Sequence, residues 1–400
     1  MAAVVGADVL ERSGHHLEDV VHRPASLPAL TALRVPLAWL VVAFHFGDLE
    51  PFRHAIGGVR RAPLGNGPFA VDCFFILSGF ILFHVHSGLG HHLDKAAVRR
   101  FLWFRLARIY PVHLAVLLAF LVGIQGLALL TGVQPNAPMR FSAVAFVQHL
   151  LLIDGWGITT LLTWNYPSWS ISSEWAAYLL SPGFFWLALR MRGIGLPLLI
   201  LLDLLALGLL LAHGEPSLHL ALPRVWLGFL LGTLVCRFRD LHRQRLSRLR
   251  SPALAGCWTA FIALLFVEQG GLLVTAFSGL ILFHGLADPQ ARPGVGVPAM
   301  RLLVYLGETS YAVYMGHAFI EILWLTLSRK LGLIQHGNLI LLALMLVMLV
   351  QGSAMLLHHY VEGPARRRLR LPWNKAAAPG LPGASGSSSS CSRARARSTL

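Results

Sequence analysis

Charge is scarce in this chain. Asp, Glu, Lys and Arg make up 13% of its 400 residues, with 18 acidic residues against 33 Lys and Arg. Soluble domains carry about 25% charge, so a surface made from this sequence is too poor in charge to face water throughout. Cysteine is scarce as well. Cys73, Cys236, Cys257 and Cys391 show no CxxC spacing and lie in or beside apolar runs or near the end, which excludes a disulfide framework and a zinc site. The run HVHSGLGHH, from His84 to His92, has no acidic partner at ligand spacing, so these histidines are expected at a membrane edge and no metal is expected. Residues 1–29 lack the short apolar run and small-residue cleavage site of a signal peptide. No internal repeat is evident.

Apolar residues fill the space that charge leaves. They are 56% of the chain, and the mean hydropathy is +0.63. They come in discrete runs of about 15 to 24 residues, the length of a membrane-crossing helix and about twice that of a barrel strand. The predicted fold is therefore an all-α polytopic transmembrane bundle of about ten spanning helices, over residues 28–47, 68–86, 110–131, 173–190, 194–212, 223–236, 253–268, 271–286, 302–328 and 339–360. Ten spans put both termini on one side. With that side cytoplasmic, 26 of the 33 Lys and Arg fall in cytoplasmic segments, including RRFLWFRLAR and RFRDLHRQRLSRLR, as the positive-inside rule requires. The basicity is thus a topology signal and a surface for anionic lipid; nucleic acid is not needed to explain it.

Residues 142–162 are apolar but interrupted by Gln148, His149, Asp154 and two glycines. Counting them as a span would invert every later loop, so they are expected to form an outer interfacial or re-entrant segment. The domain plan is a cytoplasmic N-terminal segment (1–27), a membrane domain (28–370) and a Gly-, Ser-, Pro- and Arg-rich cytoplasmic tail (371–400) expected to be disordered.

Polar residues inside the apolar runs carry the functional information. LTALRVPLAWLVVAFHF holds Arg34 and His45 eleven residues apart, about three helical turns and about 16 Å along one stripe. Lipid exposure costs such residues about 2.5–3.5 kcal/mol. They therefore either face the bundle interior or sit at the two interfaces, Arg34 snorkelling to headgroups. In GPFAVDCFFILSGFILF, Asp72 lies at a depth similar to His45, where a carboxylate would orient an imidazole; capping of its own helix is the competing role. Ser78 and Gly79 read as packing residues, since no GxSxG elbow surrounds the serine. NYPSWSISSEWAAYLLSP clusters Ser168, Ser170, Ser172, Ser173 and Glu174 with Trp169 and Trp175. This is either capping and anchoring chemistry or a patch that hydrogen-bonds and stacks on a hydroxylated acceptor. RRFLWFRLARIYP sets Arg105 and Arg108 on one helical face, suited to phosphate, with positive-inside placement as the competing explanation.

Together with LGETSYAVYMGHAF and YVEGPARR, these segments resemble, in order from about Leu30 to Arg370, the successive motifs of the bacterial membrane-bound acyltransferase 3 family. Ala32 and Val35 depart from that pattern where glycine is common, and Gly316 where a bulkier residue is usual. The resemblance implies an inner-membrane enzyme that moves an acyl group, commonly acetyl, from cytoplasmic acyl-CoA to a hydroxyl of a carbohydrate or glycolipid such as lipopolysaccharide, exopolysaccharide or peptidoglycan. A small, macrolide-like acceptor is the alternative. By the same resemblance Arg34, Arg105 and Arg108 bind the donor, and His45, Asp72 and Glu174 are catalytic. His45 fits a general base or a transient acyl carrier, the base being favoured. Trp169, Ser170, Ser172 and Trp175 fit acceptor binding. His317 and Glu362 also match motifs, with a core histidine and a pair to the adjacent arginines as their plainer readings. An outer hydrolase-like domain carried by some relatives is not expected. Two other classes compete: an exporter of polysaccharide precursors, which predicts two related halves, and a non-catalytic subunit of an assembly complex.

Overall fold

A computed structural model describes residues 27–377 apart from 48, 50–51, 57–62, 132–137, 159–160, 213–217, 268, 287–297 and 334–337. Residues 1–26 and 378–400, on which most of the predicted N-terminal segment and tail fall, lie outside the described residues. Each of the ten predicted apolar segments is helical. The helices are α1 (Pro28–Ala32), α2 (Arg34–Gly47), α3 (Phe52–Ile56), α4 (Gly67–His86), α5 (Lys95–Thr131), α6 (Ala143–Leu150), α7 (Ser168–Arg190) and α8 (Gly195–Ala212). They continue as α9 (Ala221–Arg248), α10 (Arg250–Leu264), α11 (Gly270–His284), α12 (Pro298–Lys330), α13 (Leu339–Leu356) and α14 (Gly363–Ala377).

Among the described residues, six helical stretches are long and apolar enough to cross a membrane: Pro28–Gly47, Leu64–Gly90, Lys95–Gly126, Gly195–Ala212, Leu218–Arg248 and Leu339–Leu371. The predicted count of about ten exceeds this for two physical reasons. Helices α10 and α11 have 15 residues each, a rise of about 22 Å against a hydrocarbon core of about 30 Å. Helices α7 and α12 are long, but their Ser, Glu and Arg content lowers their mean hydropathy. Outward faces are apolar, as lipid requires: Leu198, Leu201, Leu202, Leu205 and Leu209 of α8 and Ile340, Leu341, Leu344 and Met348 of α13 are all exposed. The segment around residue 150 forms only the eight-residue α6, about 12 Å long, and does not span.

Proline sets the one break inside the first segment. Pro36 has no N–H to donate to the Ala32 carbonyl, and the helix is interrupted at Leu33. Arg34 and His45 both fall on α2, so their shared stripe survives the break.

The centre of the bundle is the α4–α9 pair. Asp72 meets Arg224 at one end and His84 meets Arg239 at the other, so the two helices run in the same direction. The buried His84–Arg239 contact, at 3.0 Å, corrects the expectation that His84 lies at a membrane edge. Glycine makes this packing possible: a Cβ on Gly79 would sit 2.0 Å from the Phe229 carbonyl oxygen, and one on Gly232 would sit 1.9 Å from that of Ile76. The backbones touch without intervening side chains. The α1–α2 segment and α12 also run parallel, with Thr31 of α1 beside Gly307 and His45 of α2 beside His317.

Gly232→Ala is expected to cost about 1–3 kcal/mol or more, because the clash is with backbone that has no rotamer to change. Gly352→Ala, whose Cβ meets nothing within 4 Å, is the control. Thermal unfolding in detergent should show a lowered Tm for the first and no loss for the second.

Candidate active site

Five helices enclose a cavity of about 130 Å³, a volume on the scale that holds one ring-sized group. It can receive an arm of a ligand but not a whole nucleotide. Helix α2 contributes Arg34, α4 Ser78, α5 Arg105 and Arg108, α7 Ser170, Glu174 and Tyr178, and α12 Ser310, Tyr311 and Tyr314. Ser78, expected only to pack, donates to Glu174 Oε1 at 2.6 Å. The three arginines predicted to hold the donor thus meet in one cavity, and Glu174 lies among them. Tyr311 donates to the Ile109 carbonyl at 2.5 Å, tying α12 to α5.

The two arginines of RRFLWFRLARIYP differ in state. Arg108 is paired with Glu362, while Arg105 Nε is buried without a hydrogen-bond partner among the described residues. Glu362 is fully buried and also contacts His358 Nδ1 at 3.0 Å. Its ion pair is therefore with an arginine on another helix, which corrects the expected pairing with the adjacent arginines of EGPARR, Arg366 and Arg367. A π-helical turn, Leu357–Glu362, makes this possible: it inserts a residue into the helical register and changes the face presented.

His45 lies about 16 Å along α2 from Arg34 and belongs to a second cluster. Its ring centroid is 4.7 Å from that of Tyr166 and 5.3 Å from that of His317, nearly stacked at 27°. The Tyr166 hydroxyl donates to Glu321. His317 is fully buried, and its Nδ1 lies 2.6 Å from the Tyr314 carbonyl. A carbonyl only accepts, so Nδ1 carries the hydrogen, and in the neutral ring Nε2 is a bare lone pair without a partner among the described residues. This histidine is not the satisfied core residue of its plainer reading. Tyr314 joins the two clusters, lining the cavity while its ring stands 6.0 Å from that of His317.

Asp72 is elsewhere. Both its carboxylate oxygens accept from Arg224, at 3.2 and 2.6 Å, in a pair that is almost wholly buried, and the guanidinium faces the Trp169 ring at 6.0 Å. Asp72 neither orients His45 nor caps α4, whose first turn holds no acid. The attraction of an oppositely charged partner on α9 outweighs both expected roles.

The serines of NYPSWSISSEW do not form an open patch, nor do they cap α7, which begins after Pro167 with no side-chain cap. Ser172 accepts from the Gly155 N–H and donates to the Leu152 carbonyl, and Ser173 donates to the Gly155 carbonyl. Ser170 contacts the Tyr314 hydroxyl at 2.7 Å. Ser168 donates to Asp154 Oδ2 at 2.7 Å and lies 2.9 Å from His149 Nδ1. Its one proton is committed to Asp154, so His149 donates from Nδ1 and accepts from Thr163 at Nε2. Burial pushes His149 down to about 4, which keeps the neutral ring this arrangement needs. These groups fasten residues 149–155 to α7. Trp175 lies apart, in a groove with Trp103 and Trp373.

Sequence reasoning missed Tyr166, Glu321, Tyr314 and Arg224. Glu321 was findable, since it follows His317 by four residues and so shares its helical face. Arg224 is 152 residues from Asp72, and nothing local signals that pairing.

Residues 27–357 match the family whose description is "Acyltransferase domain", of the acyltransferase 3 type. The chain is 28% identical to Acyltransferase MdmB of Streptomyces mycarofaciens over 386 residues, covering 87% of this chain and 93% of that one. It is 23% identical to the peptidoglycan O-acetyltransferase OatA of Listeria monocytogenes over 326 residues, covering 73% of this chain and 49% of that one. No solved structure matches.

Asp72→Ala should cost about 3–5 kcal/mol by stranding Arg224, and Asp72→Ala combined with Arg224→Met should recover most of the loss. Unfolding of the two variants in detergent checks this. A double variant as unstable as the single would show that Asp72 acts through some other partner.

Proposed function

The chain belongs to the acyltransferase 3 family, and on that premise we propose that it takes an acyl group, acetyl in the simplest case, from acyl-CoA. The acceptor is a hydroxyl of a cell-surface or exported carbohydrate, and the site of action is the bacterial inner membrane. The membrane acyltransferase character follows from the family; the donor and acceptor are our reading. The observation that carries it is the division of α2. Arg34 opens onto an arginine-lined cavity, His45 stands in a His–Tyr–Glu cluster three turns away, and Tyr314 borders both.

In this reading Arg34, Arg105 and Arg108 attract the anionic donor, and its thioester arm enters the cavity toward Tyr314. Glu174, held by Ser78, fixes the arginine side chains by charge. At the other end neutral His45 takes the proton of the acceptor hydroxyl. The oxygen attacks the thioester carbonyl, the new C–O bond forms, the C–S bond breaks, and His45 returns its proton to the leaving thiolate. Tyr166, bonded to Glu321 and packed on His45, orients the imidazole in the role that sequence gave to Asp72. His317 Nε2 offers the acceptor hydroxyl a further hydrogen-bonding site. Ser170 is the predicted acceptor residue that retains access to the cavity, whereas the Ser172 hydroxyl is occupied by backbone. The name of the Listeria relative, an O-acetyltransferase of peptidoglycan, supports an oxygen acceptor on a sugar polymer.

Purified protein given labelled acetyl-CoA and acceptor glycan should transfer label. His45→Ala should lower the rate by about 10²–10⁴-fold, and Tyr166→Phe should lower kcat with little change in donor KM. Arg34→Ala and Arg105→Ala should raise donor KM. Absence of transfer by the wild type with any glycan, or full activity in a folded His45→Ala variant, would sink the reading.

A further inference from the structure

Helix α14 begins beyond the residues that match the family, yet it is fastened to α5. Trp103 Nε1 donates to the Leu369 carbonyl at 2.7 Å, the Arg99 guanidinium lies 5.3 Å from the Trp373 ring centre, and that of Arg370 lies 4.9 Å from the Phe104 ring centre. Its sequence, GPARRRLRLPWNKAA, holds four arginines. At a membrane edge such residues normally send their charge to water or headgroups. Arg367 and Arg368 do so and are exposed. Arg366 and Arg370, one turn apart on another face, are only partly exposed. Each stands within repulsive reach of Arg108, and Arg370 also of Arg105.

Among the described residues the carboxylates facing the cluster are partly committed: Glu362 is already bonded to Arg108 and His358, Glu174 accepts from Ser78 and acts on Arg105, and Glu308 acts on Arg366. The Nε atoms of Arg105 and Arg370 are both buried without a hydrogen-bond partner among the described residues. Four guanidiniums held together in this way are destabilising by themselves, and their forked donors match phosphate oxygens.

We propose that Arg366 and Arg370 of α14, with Arg105 and Arg108 of α5, form a phosphate-binding cleft at the cavity mouth that holds the phosphates of the donor nucleotide. The proposal rests on the acyl-CoA reading above. An anionic lipid headgroup carries the same chemistry, so the test must separate the two sources.

The protein in phosphatidylcholine nanodiscs, titrated calorimetrically with coenzyme A and with pantetheine, should bind coenzyme A far more tightly. The double variant Arg366→Gln/Arg370→Gln should bind coenzyme A about 10–100-fold more weakly, with pantetheine affinity unchanged. Arg367→Gln/Arg368→Gln should match the wild type with both ligands. Equal coenzyme A affinity in wild type and the 366/370 glutamine variant overturns the cleft while leaving the acyl-CoA reading intact. Wild type that binds no coenzyme A, in these discs or in discs with phosphatidylglycerol, overturns that reading and the cleft together. A loss that appears only when phosphatidylglycerol is present assigns the arginines to lipid and overturns the cleft. If the glutamine pair does not fold, Arg366→Lys/Arg370→Lys decides. Several-fold weaker coenzyme A binding, from loss of the fork, supports the cleft, and wild-type affinity overturns it.

Discussion

Hydrocarbon offers no hydrogen bonds, so each polar side chain placed within this bundle has to be answered by another part of the protein. That constraint explains where the helices go. The Asp72–Arg224 pair joins one end of α4 to α9 and the His84–Arg239 contact joins the other, with glycine-to-backbone contact between them. The Tyr166–Glu321 and Asn165–Met315 bonds hold the approach to α7 against α12, and the Arg108–Glu362 pair holds α5 against the π-helical turn that follows α13. Apolar packing fills the bundle but is non-directional. The polar pairs give it register.

The same constraint makes the unanswered atoms informative. Glu362 spends its charge on Arg108, and Asp72 spends its charge on Arg224, so both belong to the frame as much as to any chemistry. Arg105 Nε and His317 Nε2 have no such answer among the described residues. One borders the arginine-lined cavity and the other lies beside His45. A buried donor or acceptor left open costs about 1–3 kcal/mol, and such a cost is tolerated where a ligand supplies the missing partner.

Much of the fold was legible because hydrophobic length is a strong, local signal. All ten apolar segments are helices, and the interrupted stretch 142–162 was rightly kept out of the spans. Helix ends were less legible. Helix α5 begins 15 residues before the predicted 110, since an amphipathic, arginine-rich approach to a span has no apolar signature, and α14 continues into a region read as the start of a tail. The cavity arginines and Glu174 were identifiable from motif and spacing. The partner of each polar residue was not, because a pair such as Arg108–Glu362, 254 residues apart in sequence, is set by tertiary packing alone.

Asp72 shows why depth and charge sign do not suffice to assign a role. The prediction used one coordinate, position along a helix, and two residues at equal depth on different helices can face different neighbours. Arg224 faces α4 from α9 and takes both carboxylate oxygens. Once that bidentate pair forms, no carboxylate lone pair directed at His45 is needed, and the imidazole is instead enclosed by Tyr166 and His317. Tyr166, whose hydroxyl donates to Glu321, packs its ring on His45, so the imidazole is bounded by aromatic neighbours on α12 and on the approach to α7 and not by the carboxylate at its own depth on α4.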